Sequence, residues 1–262
     1  MRSPLKWVGS KASIMPQLSP HLPKGKRLVE PFAGSCTVML NTDYNFYLAG
    51  DSNPDLINFF SLVKSRPEDL IEAAEYLFNT HGDPYYYSVR DLFNKRTASS
   101  LEMGAMFLYL NKFGFNGLCR YNQSGAFNVP SGKRKNVAVP GVEIINASEK
   151  LQGVKLFCGD WLDTLKQVRE GDVVYIDPPY IPISPTANFS DYTKEGFGEA
   201  DQIKLRDALL DLGQYGIPIV VSNSFCRKSL DLYSDFNVHH IHAARAVGGQ
   251  LSVKEIIATL NC

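Results

Sequence analysis

The stretch VVYIDPPYIPIS, residues 173–184, decides how the rest of the chain is interpreted. Its first four residues are β-branched or aromatic and predict a buried strand. That strand runs directly into Asp177, Pro178, Pro179 and Tyr180. In an open parallel sheet, ligands bind outside the carboxyl ends of the strands. An acid, two rigid residues and an aromatic ring at this position therefore predict a site rather than a plain turn.

Other strands and helices alternate along the chain. Apolar runs predict strands at 27–32, 46–50, 154–157 and 217–222, with a closing pair at 237–241 and 255–260. Amphipathic patterns predict helices at 55–65 and 201–213. Alternation of this kind is typical of an α/β fold with a mainly parallel sheet that is covered on both faces.

Residues 67–113 interrupt the alternation. Three helical patterns, at 68–78, 84–94 and 100–112, follow one another without a strand. The next segment, 114–135, alternates about a central Gln-Ser-Gly and predicts a β-hairpin. We expect an inserted recognition region at about 54–140, between two parts of the α/β unit at 1–53 and 141–262.

The composition excludes several classes of protein. The 27 basic and 27 acidic residues cancel, which argues against binding through bulk charge. No apolar run reaches the roughly 18–20 residues of a membrane span, and the first residues lack a secretory apolar region, so we expect a cytoplasmic protein. Five cysteines without a CxxC pair predict mostly buried free thiols, with no metal site.

Two stretches without acidic residues indicate local positive charge. They lie between Glu102 and Glu143 and between Asp235 and Glu255. Solvated loop charge would explain either stretch alone, but the two together favour contact with nucleic acid. Their basic and histidine side chains are Lys112, Arg120, Lys133, Arg134, Lys135, His239, His240, His242, Arg245 and Lys254.

Two more predicted strand ends carry residues typical of a site. Gly34 and Ser35 follow the first strand, where small residues let a cofactor approach a helix N-terminus. A plain strand–helix connection is the alternative. Asp51 ends the second strand, where an acid commonly binds ribose hydroxyls. Its alternative role is to cap the next helix, a role that Asn53 also suits.

The residues after the 173–176 strand suit one kind of substrate. Consecutive prolines fix the direction of the Pro178 carbonyl, which lies beside the Asp177 carboxylate and the Tyr180 ring. A flat substrate with an exocyclic amino group would stack on the ring while both acceptors take its protons. The lone pair of such a nitrogen is delocalised into the ring. Acceptors outside the ring plane favour a pyramidal nitrogen and stabilise the positive charge that develops on alkylation.

These residues resemble the S-adenosylmethionine-dependent amino-methyltransferases of DNA. Phe32-Ala33-Gly34 comes first, the insertion next and Asp177-Pro178-Pro179-Tyr180 last, which is the class α order. The resemblance to bacterial and phage Dam-type adenine methyltransferases runs from residue 4 to about 225. It is carried by PLKWVGSK (4–11), NKFGFNGLCRYN (111–122), FNVP (127–130) and TANF (186–189).

The resemblance implies an α/β fold: a Rossmann-like methyltransferase sheet with an inserted helical and β-hairpin DNA-recognition domain. The catalytic domain would comprise 1–53 and 141–262, and the target-recognition domain 54–140. The implied reaction moves a methyl group from S-adenosylmethionine to adenine N6 in GATC. Its product is S-adenosylhomocysteine, and its partner is double-stranded DNA whose target base is flipped out. No metal is implied, and we expect a monomer.

The resemblance also assigns residues to roles. It implies the catalytic residues Asp177, Pro178 and Tyr180. It implies the cofactor-binding residues Trp7, Lys11, Phe32, Gly34, Asp51, Asp160 and Asp177. It implies the DNA-binding residues Lys6, Phe115, Asn116, Leu118, Arg120, Asn122, Pro130, Lys133, Arg134 and Asn188.

Some of these roles are specific. Asp51 is expected on the ribose and Asp160 at the adenine edge of the cofactor. Phe115 and Asn116 should fill the gap that the flipped base leaves. Arg120 should read a guanine in the major groove, where bidentate arginine contact is the commonest specific pairing.

The sequence departs from the family at three places. Cys36 replaces the second glycine of the cofactor turn and is expected to weaken cofactor binding. Phe115 stands where tyrosine is frequent, which loses a hydroxyl contact but keeps the stacking surface. The stretch 243–254 is less basic than is typical, which affects phosphate contacts.

Other readings stay open or are disfavoured. A cytosine-N4 methyltransferase would use the same geometry, and a non-catalytic DNA-binding relative would keep the fold. A cytosine-C5 enzyme needs a nucleophilic cysteine, typically after proline, and the chain has no Pro-Cys pair. A duplex-reading hairpin argues against an RNA adenine methyltransferase.

Overall fold

The computed structural model of the protein describes residues 1–80, 82–134, 137–182, 197–243 and 253–262. Its strands are β1 (Arg27–Glu30), β2 (Phe46–Asp51), β3 (Val154–Cys158), β4 (Asp172–Ile176), β5 (Ile219–Ser224), β6 (Asn237–Ala243) and β7 (Val253–Leu260). Within this part of the chain they form a seven-stranded sheet with the order β3-β2-β1-β4-β5-β7-β6. Strands β1 to β5 are parallel, and β7 lies antiparallel between β5 and β6. The predicted mainly parallel, Rossmann-like sheet and its closing pair are confirmed.

The helices of the described residues are α1 (Met15–Leu18), α2 (Thr37–Leu40), α3 (Pro54–Ser65), α4 (Pro67–Phe78), α5 (Asp83–Lys95), α6 (Ser100–Phe113), α7 (Gly141–Leu151), α8 (Trp161–Leu165), α9 (Glu199–Gly213) and α10 (Arg227–Leu232). The five that were predicted from periodicity, α3 to α6 and α9, lie within a few residues of the expected bounds. The other five were not predicted from periodicity, and all of these except α7 span only four to six residues, too few to show a helical period. None of the described helices has the length and apolar character of a membrane span.

The sheet separates two apolar layers. Successive strand residues point to opposite faces, so Leu28 and Val173 pack in one layer, and Val29 and Val174 in the other. The second layer is completed by α8, α9 and residues after α10. The first layer is continuous with the buried residues of α3 to α7, so the helical block at 67–113 shares its core with one face of the sheet.

The segment after α6 differs from the predicted regular hairpin. Isolated antiparallel bridges join Gly114 to Ser131 and Tyr121 to Phe127, but residues 114–134 contain no strand. The chain reverses at the expected Gln-Ser-Gly, where the Asn122 side chain accepts backbone hydrogen bonds at 3.0 and 2.9 Å. The two arms of the loop are therefore present, without the ladder.

Helix α5 supplies part of the missing pairing to the returning arm of the loop. The Asn94 side chain accepts a hydrogen bond from the Phe127 N–H at 2.8 Å and donates to the Phe127 carbonyl at 3.0 Å. The Tyr86 hydroxyl donates to the Val129 carbonyl at 3.0 Å. These side chains satisfy backbone groups that a neighbouring strand would satisfy in a sheet.

The cysteines follow the prediction only in part. Cys36 and Cys119 are buried free thiols, as expected. Cys158 and Cys262 are exposed, and Cys226 is half-buried. The prediction that most thiols are buried is therefore wrong, because Cys158 ends strand β3 at the sheet edge and Cys262 follows β7.

Candidate functional site

The carboxyl ends of the parallel strands bring four predicted residues to one edge of the sheet. Gly34 follows β1, Asp51 ends β2, Asp160 follows β3 and Asp177 follows β4. The Gly34 N–H donates to the Asp51 Oδ2 atom at 3.0 Å, which joins the first two directly. The location is the one at which an open α/β sheet binds ligands.

Asp51 does not cap the next helix. Asn53 does so, because its side-chain oxygen accepts from the N–H groups of Asp55 and Leu56. Asp51 accepts instead from the backbone N–H groups of Gly34 and Asn53. Burial raises the pKa of Asp51, and the two backbone hydrogen bonds oppose that effect. The acid is thus held in place at the strand end, as a ligand-binding acid requires.

Asp177 is paired with a buried lysine. The Lys11 Nζ atom lies 2.7 Å from Asp177 Oδ2, and the two side chains are 6% and 22% exposed. Lys11 also donates to the Gly9 carbonyl at 2.7 Å and lies 4.9 Å from the centre of the Tyr180 ring. The acid, the ammonium and the ring therefore form one cluster.

Burial and neighbouring charges set the ionisation of the carboxyls around this cluster. Burial raises the pKa of Asp177 to about 6, although Lys11 lowers it and Glu255 adds to the increase. Burial and the charge of Asp177 raise the pKa of Glu30 to about 8. Asp177 is therefore the carboxylate at neutral pH, whereas Glu30 keeps its proton.

The loop after β4 is pinned by residues that sequence reasoning missed. Gln202 donates to the Pro179 carbonyl at 2.6 Å. Asn223 accepts from the Ile181 N–H at 3.1 Å, and Ser224 donates to the Ile181 carbonyl at 2.7 Å. Asn223 and Ser224 end strand β5, so polar residues at a fifth strand end were the signal that could have found them.

The Pro178 carbonyl remains available beside this pinned backbone. Among the residues that the structure describes, none donates a hydrogen bond to it. The Tyr180 hydroxyl donates to Glu255 Oε2 at 2.9 Å, which fixes the ring. The Pro178 carbonyl therefore lies in the chain between the Asp177 carboxylate and the fixed Tyr180 ring.

The turn after β1 is tightly packed. Gly34 has a φ of +48°, and a Cβ atom there would lie 2.9 Å from the Trp7 indole nitrogen. Cys36 adopts a left-handed φ of 55°, which costs a non-glycine residue about 1 kcal/mol. Its side chain is only 1% exposed. The conformation explains why glycine is expected at this position.

An aromatic wall stands beside the turn. Phe32 stacks on Trp161 with ring centres 6.4 Å apart and meets the edge of Phe197 at 5.7 Å. Asp160 is exposed and caps helix α8 by accepting from the Leu162 N–H at 2.8 Å. The wall provides apolar area for a flat group, with an acid at its rim.

The turn after α6 presents a wedge-like pair of side chains. Phe115 is 45% exposed, and Asn116 beside it has a left-handed φ of 54°. Asn111 holds the N-terminal segment against this turn, because it accepts from the Lys6 N–H at 2.9 Å and donates to the Lys6 carbonyl at 2.7 Å. The Lys6 side chain lies over Gly117, where a Cβ atom would be 2.5 Å away.

Three cations lie close together beside the wedge. Burial lowers the pKa of Lys6, and the charge of Arg134 lowers it further. Burial likewise lowers the pKa of Lys112, which Arg134 and Lys6 also depress while Glu143 opposes them. Mutual repulsion of this kind is relieved by an anion, so the cluster suits a phosphate backbone.

The remaining predicted DNA-binding residues lie on the same loop. Arg120 is exposed, and its Nε donates to Asn128 Oδ1 at 2.8 Å. Leu118 is half-buried, and Asn122 uses its side-chain oxygen to close the turn. The loop also carries exposed Pro130, Lys133 and Arg134. Asn188, the motif at 186–189, Lys135 and most of 243–254 lie outside the described residues.

Comparison with known proteins agrees with this arrangement. Residues 7–247 match the family described as D12 class N6 adenine-specific DNA methyltransferase. The chain is 44% identical to the Retron Ec67 DNA adenine methylase of Escherichia coli, over 98% of this chain and 91% of that protein. It is 37% identical to the DNA adenine methylase of Escherichia coli K12, over 98% and 94% of the two chains. Identity to the DNA adenine methylase of Vibrio cholerae serotype O1 is 38%, over 98% and 95%. The chain therefore belongs to the D12 class of N6 adenine-specific DNA methyltransferases.

Proposed function

We propose that this DNA adenine methyltransferase transfers a methyl group from S-adenosylmethionine to N6 of the adenine in GATC, leaving S-adenosylhomocysteine. The observation that carries the proposal is the Pro178 carbonyl, which accepts no hydrogen bond from a described residue and follows the Asp177 carboxylate. Tyr180 supplies the stacking ring. Asp177, Pro178 and Tyr180 are the proposed catalytic residues.

The residues of this cluster act on the target nitrogen. The Asp177 carboxylate and the Pro178 carbonyl accept the two amino protons, so the lone pair is freed for attack. The same acceptors stabilise the positive charge on the nitrogen as the new bond forms. The methylated nitrogen then becomes acidic and releases a proton, so Asp177 need not be a strong base. Lys11 keeps Asp177 ionised and oriented.

The cofactor fits the edge of the sheet formed by the first three strands. S-adenosylmethionine supplies the electrophilic methyl group. Asp51 is a fixed acid at a strand end, and Phe32 is part of the aromatic wall. The residues proposed to hold the cofactor are Trp7, Lys11, Phe32, Gly34, Asp51, Asp160 and Asp177.

The DNA-binding part is proposed to be the 54–140 insertion, with 1–53 and 141–262 as the catalytic domain. The wedge pair and two members of the cation cluster, Lys112 and Arg134, lie on this insertion and support the division. Lys6, the third member, is separated from Lys11 by at most about 18 Å of extended chain, so the cluster lies near the proposed catalytic residues. Phe115 and Asn116 would fill the gap left by the flipped adenine. Further contacts are proposed for Lys6, Leu118, Arg120, Asn122, Pro130, Lys133, Arg134 and Asn188.

Arg120→Ala is expected to relax the sequence preference. A bidentate arginine–guanine contact contributes about 1–3 kcal/mol of discrimination, so the preference for GATC over a duplex with that guanine replaced should fall about 5- to 150-fold. The measurement is kcat/KM on both duplexes. Lys133→Ala is the matched control, because loss of a phosphate contact weakens both duplexes alike. Unchanged discrimination in Arg120→Ala would reject the guanine-reading role.

The pH profile of methyl transfer is expected to have an acid limb near pH 6. Above this value Asp177 is the acceptor carboxylate, and below it the group protonates and activity falls about tenfold per pH unit. Single-turnover rates between pH 5 and 8 measure this limb. Rates that stay level to pH 5 would contradict the proposed ionised role.

The reaction itself is tested by transfer of a labelled methyl group to a GATC duplex. The same duplex with the target adenine replaced should accept no label. Label that persists there and disappears when cytosine is replaced would support the cytosine-N4 alternative, and no label at all would support a non-catalytic DNA-binding relative. We also propose that the enzyme acts as a monomer in the cytoplasm of a bacterial or phage-infected cell, which size-exclusion chromatography and fractionation would check.

A further inference from the structure

The residues on either side of Arg120 point into the protein. Cys119 is 7% exposed and Tyr121 is half-buried, whereas Arg120 is exposed. Alternate side chains of an extended segment face opposite sides, so the two inward anchors set the direction of Arg120. The Tyr121 hydroxyl donates to Asp55 Oδ2 at 2.6 Å, and Arg96 pairs with the other oxygen at 2.5 Å.

The other inward residue, Cys119, is hydrogen-bonded to the edge of the sheet where the cofactor is proposed to bind. The Asn53 Nδ2 atom donates to the Cys119 sulfur at 3.4 Å. The Asn53 N–H donates to Asp51 Oδ1 at 2.9 Å, and Asp51 Oδ2 accepts from Gly34 at 3.0 Å. One residue therefore connects the turn after β1 with the segment that carries Arg120.

We propose that Asn53 is a positioning residue that couples cofactor binding to the reading of the guanine by Arg120. This inference rests on the proposed roles of Asp51 and Arg120. Binding of the cognate duplex orders the Arg120 segment, and the bond from Asn53 to Cys119 then holds Asp51 in its cofactor-binding position. Coupling between binding sites is reciprocal, so bound cofactor strengthens cognate DNA binding by the same factor.

The structure separates this role from ordinary helix capping. Asn53 Oδ1 caps α3, whereas only Nδ2 reaches Cys119. Serine is an equally good N-cap but has no amide donor, so Asn53→Ser removes the coupling bond and keeps the cap. Asn58→Ser is the matched control on the same helix, because Asn58 donates to the Ser100 carbonyl and has no contact with Cys119 among the described residues.

The test measures the dissociation constant of S-adenosylhomocysteine by calorimetry, with and without saturating GATC duplex. The wild-type protein and Asn58→Ser are expected to bind about fivefold or more tightly with the duplex. Asn53→Ser should show less than about a twofold change, which is below the range of typical coupling between two sites. With a duplex in which the guanine is replaced, the wild-type protein and both variants should all show less than about a twofold change in this dissociation constant.

Variants of Cys119 probe the same bond from its other end. Cys119→Ala should lose the tightening of S-adenosylhomocysteine binding as Asn53→Ser does. It replaces Asn53→Ser in the test if that variant does not fold. Cys119→Ser keeps an acceptor and should retain the tightening. Equal tightening in the wild-type protein and in Asn53→Ser or Cys119→Ala overturns the inference, as does no tightening in the wild-type protein. If the wild-type protein still methylates GATC, only this inference fails; if it does not, the proposed function fails as well.

Discussion

Replacement of Asp177 by alanine is expected to lower the rate of methyl transfer about 10²- to 10³-fold, the usual effect of removing one preorganised group that stabilises transition-state charge. The carboxylate is one of two acceptors beside the Tyr180 ring, and its partner Lys11 is almost fully buried. Without it, the Pro178 carbonyl alone orients the amino group. Single-turnover transfer of a labelled methyl group to a GATC duplex measures the loss.

The expected loss concerns chemistry rather than folding or cofactor binding. Binding of S-adenosylhomocysteine should weaken far less than the rate falls in Asp177→Ala, because six other residues are proposed to hold the cofactor. Asp177→Asn keeps the side-chain volume should alanine leave Lys11 without support. Asp163→Ala is the matched control, because that exposed acid pairs only with Lys166 among the described residues. A folded Asp177→Ala protein that transfers methyl groups at the normal rate would show that the role assigned to the acid is wrong.

The elements that position the site were predictable because their signals are local. Strand β4 is apolar from Val173 to Ile176, and every one of its positions is buried in the structure. Its end at Asp177 follows from the prolines, which cannot continue a central strand. The same local signals identified the ends of β1 and β2, and with them Gly34 and Asp51.

Contacts between distant segments were not predictable from patterns. Lys11 was assigned to the cofactor through the family resemblance, but its ion pair with Asp177 joins the N-terminal segment to the end of β4. Gln202 reaches the Pro179 carbonyl from helix α9, where periodicity shows only which residues face the sheet. Such pairs depend on packing, which spacing along the chain does not encode.

The loop at 114–134 shows why alternation misled the hairpin prediction. Alternating side chains predict an extended arm, and Cys119, Arg120 and Tyr121 do alternate between inside and outside. The backbone of the returning arm is satisfied by Asn94 of helix α5 instead of a full ladder. A helix partner leaves no period of two in its own sequence, so local patterns cannot reveal it.

Replacement of Lys11 by methionine is expected to move the acid limb of the pH profile to higher pH. Burial raises the pKa of Asp177 to about 6 even while Lys11 lowers it, and the negative neighbour Glu255 acts in the same direction as burial. Loss of the ammonium removes the main group that lowers this pKa and leaves only a Tyr180 hydrogen bond to oppose burial and Glu255. Because a nearby opposite charge changes a carboxyl pKa by about 1–3, the ionised fraction and the rate at pH 7 should fall by up to about 100-fold.

The direction of that shift separates an electrostatic role from a structural one. A variant that merely loosened the fold would lower the rate equally at every pH, whereas Lys11→Met should recover much of its activity at pH 9. Lys11→Arg keeps the charge and should keep the limb near pH 6. Lys64→Met is the matched control, because Lys64 donates to the Val154 carbonyl from helix α3 and has no part in the Asp177 cluster. A Lys11→Met profile parallel to that of the wild-type protein would mean that the ammonium does not govern the ionisation of Asp177.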